Sequence, residues 1–457
     1  MPEVRSITER PIVEVSASTY RKTVLNNGIR IITESVPGVR SLSIGVVVEC
    51  GSVHETAEEA GLAHLCEHLV FQGTSTRDGL KIARQIDDAG GRVGGFTTRD
   101  YTCYSATVVS DYCFHALDLL GDILLNPTFP EDCLEREKRV AMCEIGEGAD
   151  DPARRVHDMA RGIAWRGHPL GRLVAGESAA VAGYTREDLI YFFHKHYTPN
   201  RLIIAAAGDL DHDDFVSQAR DAFWRMLGDG FPPIVPDAGF ASGAEFVEAP
   251  FSQTYFCLCL PAPAYQDPDR YSTHLLNRMI GGNVSSRLFR RLREDLGLVY
   301  GVHSEYLAYR NGGMLSIEGS TQPDMLEQTI EELLAETRRL LDGEAPADLD
   351  EWWRARTQVR AEHLLSSEDS ATRMMRLATQ ELYFGRWMPA AEILEEIGAV
   401  EANGIDRTAR RLLPDNPAAA VAAAGRTPLP SGKLEAMLGH FLRKAPASTD
   451  FSSSSFH

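Results

Sequence analysis

The stretch PNRLIIAAAGDL (199–210) returns near the far end of the chain as DNPAAAVAAAGRT (415–427). Each is a turn signal, then a short Ala-rich apolar run, then Gly. The spacing between them is close to half of the 457 residues. Earlier in each half lies another run with strand character, SLSIGVVVECGSVH (41–54) and SQTYFCLCLPAPAY (252–265). Each is followed by helical apolar spacing and later by long amphipathic helices. Two copies of one α+β unit explain this order better than a single large domain. The Pro- and Gly-rich stretch GDGFPPIVPDAGFASGAEF (228–246) marks the divide. The expected organisation is an N-terminal domain over 1–228, a linker over 229–246, a C-terminal domain over 247–445 and a disordered, Ser-rich tail over 446–457.

Within the first half, RIITESV (30–36) and SLSIGVVVEC (41–50) read as strands rich in Ile and Val. Residues 56–72 are expected to form a helix, with Thr56 and Glu59 as a capping box and Gly73 as its stop. YTCYSATVV (101–109) alternates like a strand, residues 111–126 form a helix ended before Pro127, and residues 130–148 form another that starts with acids.

The net charge of −19 argues against nucleic acid as a partner, because phosphate binding needs a concentrated basic surface. No apolar run approaches the length needed to cross a bilayer, and the first residues mix both charge signs, so a cytoplasmic location is expected. Eight cysteines include no CxxC pair and read as reduced, mostly buried thiols. Cys257 and Cys259 would share one face of a strand.

The chemistry is concentrated in GLAHLCEHLVFQGT (61–74), which contains His64, Glu67 and His68 as H-x-x-E-H. On a helix, residues four apart lie one turn above each other, so both imidazoles can face one ion. Glu67 flanks the same face and can act on a water as a base without being a ligand. The order is the inverse of the H-E-x-x-H zinc peptidase motif. A catalytic zinc keeps three protein ligands and one open position. The helix LEREKRVAMCEIGE (134–147) offers Glu135, Glu137, Glu144 and Glu147 as candidates for the third.

These motifs resemble the pitrilysin/insulinase superfamily of inverted-motif zinc peptidases, in particular its mitochondrial processing peptidase-like branch. EHLVFQGT is similar to the family's EHMxFKGT, and GGFTTRDYTCY (94–104) to its NAYTSREYTxY. SSRLFRRLREDLGLVYGVHS (285–304) is similar to its SSRLFxxLREKxGLAYSV. The family's E-x6-E string falls on Glu137 and Glu144. The resemblance implies that Glu144 is the third ligand to one zinc ion per chain, with Glu137 a supporting acid. It implies that Arg293 and Tyr300 bind substrate, together with Gly95, Phe96 and Thr97 beside the strand that pairs with the peptide backbone. Gly94 and Gly95 depart from the family's Asn-Ala and put substrate preference in question. The implied fold is two similar α+β domains, antiparallel sheets packed with helices, facing across a substrate chamber.

The expected function is zinc-dependent endopeptidase action on extended or unfolded peptides. Two alternatives stand beside it: a dedicated leader-peptide processing protease, and a non-catalytic assembly or binding subunit. The expected partners are a peptide substrate and a second copy or related subunit in a dimer, with no nucleic acid and no membrane.

Overall fold

Among the described residues, eleven strands form two sheets. The first contains β1 (Thr19–Val24), β2 (Arg30–Ser35), β3 (Ser41–Val48), β4 (Arg92–Thr97), β5 (Thr102–Val109) and β6 (Leu202–Gly208), in the order β1-β2-β6-β3-β5-β4. The second contains β7 (Gly243–Glu248), β8 (Thr254–Ala262), β9 (Val299–Tyr309), β10 (Gly312–Thr321) and β11 (Ala420–Gly425), in the order β7-β11-β8-β10-β9. This computed structural model describes residues 18–228, 230, 234–342, 348–413, 417–426, 429–430 and 432–443. The tail expected at 446–457 lies outside them.

With β1 set aside, both sheets have one topology: first strand, fifth, second, fourth, third. In both, only the first and fifth strands run parallel. All other neighbours are antiparallel. A five-strand order with a parallel pair at the same place is specific enough to establish an internal duplication, so the two α+β units expected from the Ala-rich repeat are present. Further elements fall near their expected places: a helix over Cys113–Leu125 and another over Glu131–Asp150.

The compact units nevertheless each draw on both halves of the chain. Counted over the described residues, one contains 18–141, 179–228 and 364–388, and the other 142–178, 234–363 and 389–443. The cause is an exchange of helices. Ser370–Phe384, from the second half, lies on β2, β3 and β6, while Pro152–Ala164, from the first half, lies on β8 and β11. The stretch expected as a linker also holds β7 from Gly243 onward.

Small residues in the central strands allow this packing. β6 and β11 are buried along their whole length. Their Ala side chains let a helix approach closely. At Gly45 of β3 a Cβ would fall 2.3 Å from Met374 Sδ. At Gly243 of β7, next to β11, it would fall 2.7 Å from Ile163. Polar contacts then lock the exchanged helix onto the first sheet. Lys22 pairs with Glu381 at 2.8 Å, Arg373 with Glu34 at 2.5 Å, and Tyr383 donates to the buried Asp100 carboxylate at 2.6 Å.

A fragment of residues 18–228 therefore keeps every strand of the first sheet but lacks the helix that covers it. It should show no cooperative thermal transition, and a sharp melt by circular dichroism would show that the exchanged helix is dispensable.

Candidate metal centre

The chain leaves β3 and enters a segment held against the loop after β4. Ser52 N–H donates to Thr98 O at 3.2 Å and Val53 N–H to Arg99 O at 3.0 Å. Gly51 sits so close that a Cβ would lie 2.4 Å from both carbonyl oxygens. The helix that follows starts at Leu62, not at Thr56, and runs to Leu69 before a 3-10 turn over Val70–Gln72. Thr56 N–H does donate to Glu59 Oε2 at 3.0 Å, but in a turn ahead of the helix. The break is at Gly61, whose φ of 97° is left-handed. The cap is supplied by Glu55. Its carboxylate accepts from Gly61 N–H at 3.0 Å and from Ala63 N–H at 2.8 Å, both buried bonds. A negative group at a helix N-terminus also matches the helix dipole.

Leu62, Ala63, Leu65, Cys66 and Leu69 carry the helix into the core. Its other face presents His64, Glu67 and His68, whose ligand atoms lie within 4.8 Å of one another. The two imidazole centroids are 4.5 Å apart. The two imidazoles on this half-buried face are donors suited to zinc, with the Glu67 carboxylate beside them. Burial pushes the thiols of Cys50 and Cys103 up to about 12 and that of Cys66 well above the usual thiol range.

His68 Nδ1 lies 3.3 Å from Glu137 Oε2. Such a contact takes up Nδ1–H and leaves Nε2 for an ion. Glu137 is in turn reached by Arg136 Nε at 3.4 Å, and Arg136 Nη2 donates to Gln72 Oε1 at 2.6 Å. Glu144 stands on the same helix two turns beyond Glu137, so it shares a helical face with it. That end of the helix belongs to the second compact unit.

Glu67 is only 8% exposed and leans on β4. Thr97 Oγ1 donates to Glu67 Oε2 at 3.2 Å. At Gly95 a Cβ would come within 2.9 Å of Glu67 Cγ and Oε1. Two of the residues expected to touch substrate thus have side-chain positions turned toward Glu67, while Phe96, between them, points to the opposite face and is 40% exposed. Gly94 has open space where a side chain would stand. β4 is at the edge of its sheet among the described residues.

Sequence reasoning missed three features here. Glu55 gave no signal because its partners lie across a turn. The Thr97 hydroxyl could be aimed at Glu67 only once β4 and the helix were placed together. A cleft of about 510 Å³ beside Glu67 and His68, walled by Phe71, Ile82, Ile86 and Val93, comes from three separate elements. Arg293 and Tyr300 lie in the second unit, both exposed. Arg293 lies in a π-helical segment, Phe289–Asp295, and its guanidinium stands 5.5 Å from the centre of the Tyr300 ring.

Comparison with known proteins bears on this arrangement. Residues 30–178 match the family described as Insulinase (Peptidase family M16), and residues 183–359 match Peptidase M16 inactive domain. A Bacillus subtilis protein named uncharacterized zinc protease YmxG is 34% identical over 412 residues, which cover 89% of this chain and 99% of that one. A Rickettsia felis protein named uncharacterized zinc protease is 33% identical over 389 residues, 85% of this chain and 93% of that one. The crystal structure of a protease from Helicobacter pylori shares the fold, with a TM-score of 0.83 at 18% identity over 90% of this chain and 100% of that one. With both domain types matched in order, and relatives at one-third identity over nearly their whole length, this chain belongs to peptidase family M16.

Proposed function

We propose that this protein is a zinc-dependent endopeptidase that hydrolyses extended peptides. The observation that carries the reading is the convergence of His64, Glu67 and His68 within 4.8 Å, beside a strand at the edge of its sheet among the described residues. His64 and His68 would hold the ion through imidazole nitrogens. Glu144 would be the third ligand, a reading supported by the E-x6-E resemblance and by its position in helical phase with Glu137. Bound there, zinc would supply Lewis acidity toward the scissile carbonyl.

The remaining chemistry falls to the chain's own groups. Glu67 takes the proton of the attacking water and passes it to the leaving amine. Thr97 holds one carboxylate oxygen of Glu67 in place, and the absent side chain of Gly95 leaves room for the other. A peptide adding to the edge of β4 gains backbone hydrogen bonds whatever its sequence. A folded protein rarely offers a free strand, so extended segments are the expected substrates. The cleft walled by Phe71, Ile82, Ile86 and Val93 suits an apolar side chain next to the cleaved bond. Arg293 and Tyr300 are assigned to substrate binding on the strength of the family resemblance, Arg293 through its fork of donors.

Glu67→Gln should abolish peptide cleavage and leave zinc content unchanged. His64→Ala, His68→Ala and Glu144→Gln should each empty the site, with Glu137→Gln doing so less. Metal analysis by mass spectrometry would refute the ligand set if Glu144→Gln kept full zinc while Glu137→Gln lost it.

Thr97→Val keeps shape and removes one donor to a charged group, an interaction of about 1.5–3 kcal/mol. The expected result is a fall in kcat of about 10-fold or more with KM and zinc near wild type, restored by Thr97→Ser. Tyr300→Phe should lower kcat/KM by about 10²–10³, the usual cost of one transition-state donor, without changing zinc content or melting temperature. Full activity in that variant would remove Tyr300 from the reaction.

A further inference from the structure

The duplication pairs elements of the two units one by one. The helix after β3, Leu62–Leu69, corresponds to the helix after β8, Arg270–Ile280. Aligned by their shared histidine, AHLCEHLV (63–70) stands over THLLNRMI (273–280). His64 falls on His274, Glu67 on Asn277 and His68 on Arg278. The apolar positions match as well: Leu65 on Leu275, Leu69 on Met279 and Val70 on Ile280.

The second pairing involves the long helices. After β5 come Cys113–Leu125 and then Glu131–Asp150, and after β10 come Leu326–Leu341 and then Leu349–Ser366. Glu144 stands thirteen positions after the first residue of its helix, Glu131, and Glu362 stands thirteen positions after Leu349. In the second unit these two corresponding helices meet: Arg278 Nη2 forms an ion pair with Glu362 Oε2. His274 is one turn before Arg278 on the same helix. Its ring packs edge-on against Tyr306, centroids 4.9 Å apart, and the residue is exposed to solvent. Desolvation of the ring against its neighbours lowers its pKa, an effect that Glu362 opposes and that Arg278 and Arg270 reinforce. His274, Arg278 and Glu362 therefore share one neighbourhood.

Residues 183–359 match the family's inactive domain; we infer that in the second unit the Arg278 guanidinium takes the place of a divalent ion against Glu362. This rests on the assignment of His64, His68 and Glu144 as zinc ligands. Arginine brings the positive charge covalently. An imidazole with an ion, joined by bonds of about 2.0–2.2 Å on each side, spans much the same gap as the longer arginine side chain. The copy is also silent as chemistry. Asn277 replaces the base, and its side-chain oxygen accepts from Ser304 Oγ at 2.6 Å. The backbone carbonyl of Asn277 receives Gly281 and Gly282 N–H at 3.2 and 3.0 Å, which fixes the end of the helix.

Arg278→His should therefore open a site for a divalent cation, with His274, Glu362 and the new imidazole at position 278 as its ligands. The ion pair it removes has a largely exposed carboxylate, 62% by side chain, so the fold should tolerate the change. The experiment measures zinc per chain in the purified full-length protein, and the cobalt(II) absorption spectrum. The expected result is one more zinc in R278H than in wild type, kept in the R278H/H64A double variant and lost when E362Q or H274A is added. No cleavage should accompany the ion in R278H/H64A. Should R278H fail to fold, R278C presents a thiolate at the same place and is read by its cobalt charge-transfer band. A folded R278H with wild-type zinc content, or an extra ion that survives both E362Q and H274A, would overturn the inference. A wild-type chain without zinc at His64 and His68 would instead defeat the proposed function, while the increment in R278H would remain measurable.

Discussion

Two hydrogen bonds to one buried carboxylate set the geometry of the centre. The helix carrying His64, Glu67 and His68 has eight residues, too few to be stable in isolation. Its N-terminal donors would be unsatisfied in a buried setting. Glu55 satisfies two of them, at Gly61 and Ala63. The helix is thereby tied to a segment that is itself bonded to the loop after β4, through Ser52 and Val53. The two imidazoles and the strand edge are thus parts of one rigid assembly. A shift of the helix along its axis would break the cap before it moved the histidines away from β4.

This arrangement couples base and substrate edge. Glu67 contacts β4 through Thr97 and through the gap at Gly95. The strand that could accept a peptide is the same strand that holds the carboxylate. Small residues on it serve the base as much as the ligand, which gives Gly95 a role that substrate contact alone would not. Gly94, with empty space around it, carries no such constraint.

Much of this is legible in the residues. The Ala-rich repeats mark β6 and β11, and the H-x-x-E-H spacing marks a helix face. Both are local periodicities, which sequence expresses directly. The capping box misleads because Thr56 and Glu59 do make part of the expected contact, but in a turn; Gly61 then breaks the backbone, and the true cap lies six residues back from it. Helix exchange leaves no local trace, since Ser370–Phe384 reads as an ordinary amphipathic helix wherever it packs. Its signature is present only as small residues opposite, at Gly45 and along β6. The relation of Arg278 to Glu362 needs the strand order of both sheets before the two long helices can be compared.

The exchange also bears on how the chain is made. Every strand of the first sheet has been synthesised once Gly208 has left the ribosome, yet the helix that covers it starts at Ser370, some 160 residues later. At about 5–20 residues per second, that is a wait of roughly ten to thirty seconds. During it the apolar face of β2, β3 and β6 has no cover from its own chain. Pro152–Ala164, made early, waits in turn for β8 and β11. Nascent chains of this protein therefore carry that apolar face uncovered, and the duplicated fold is completed only once β11 has been made.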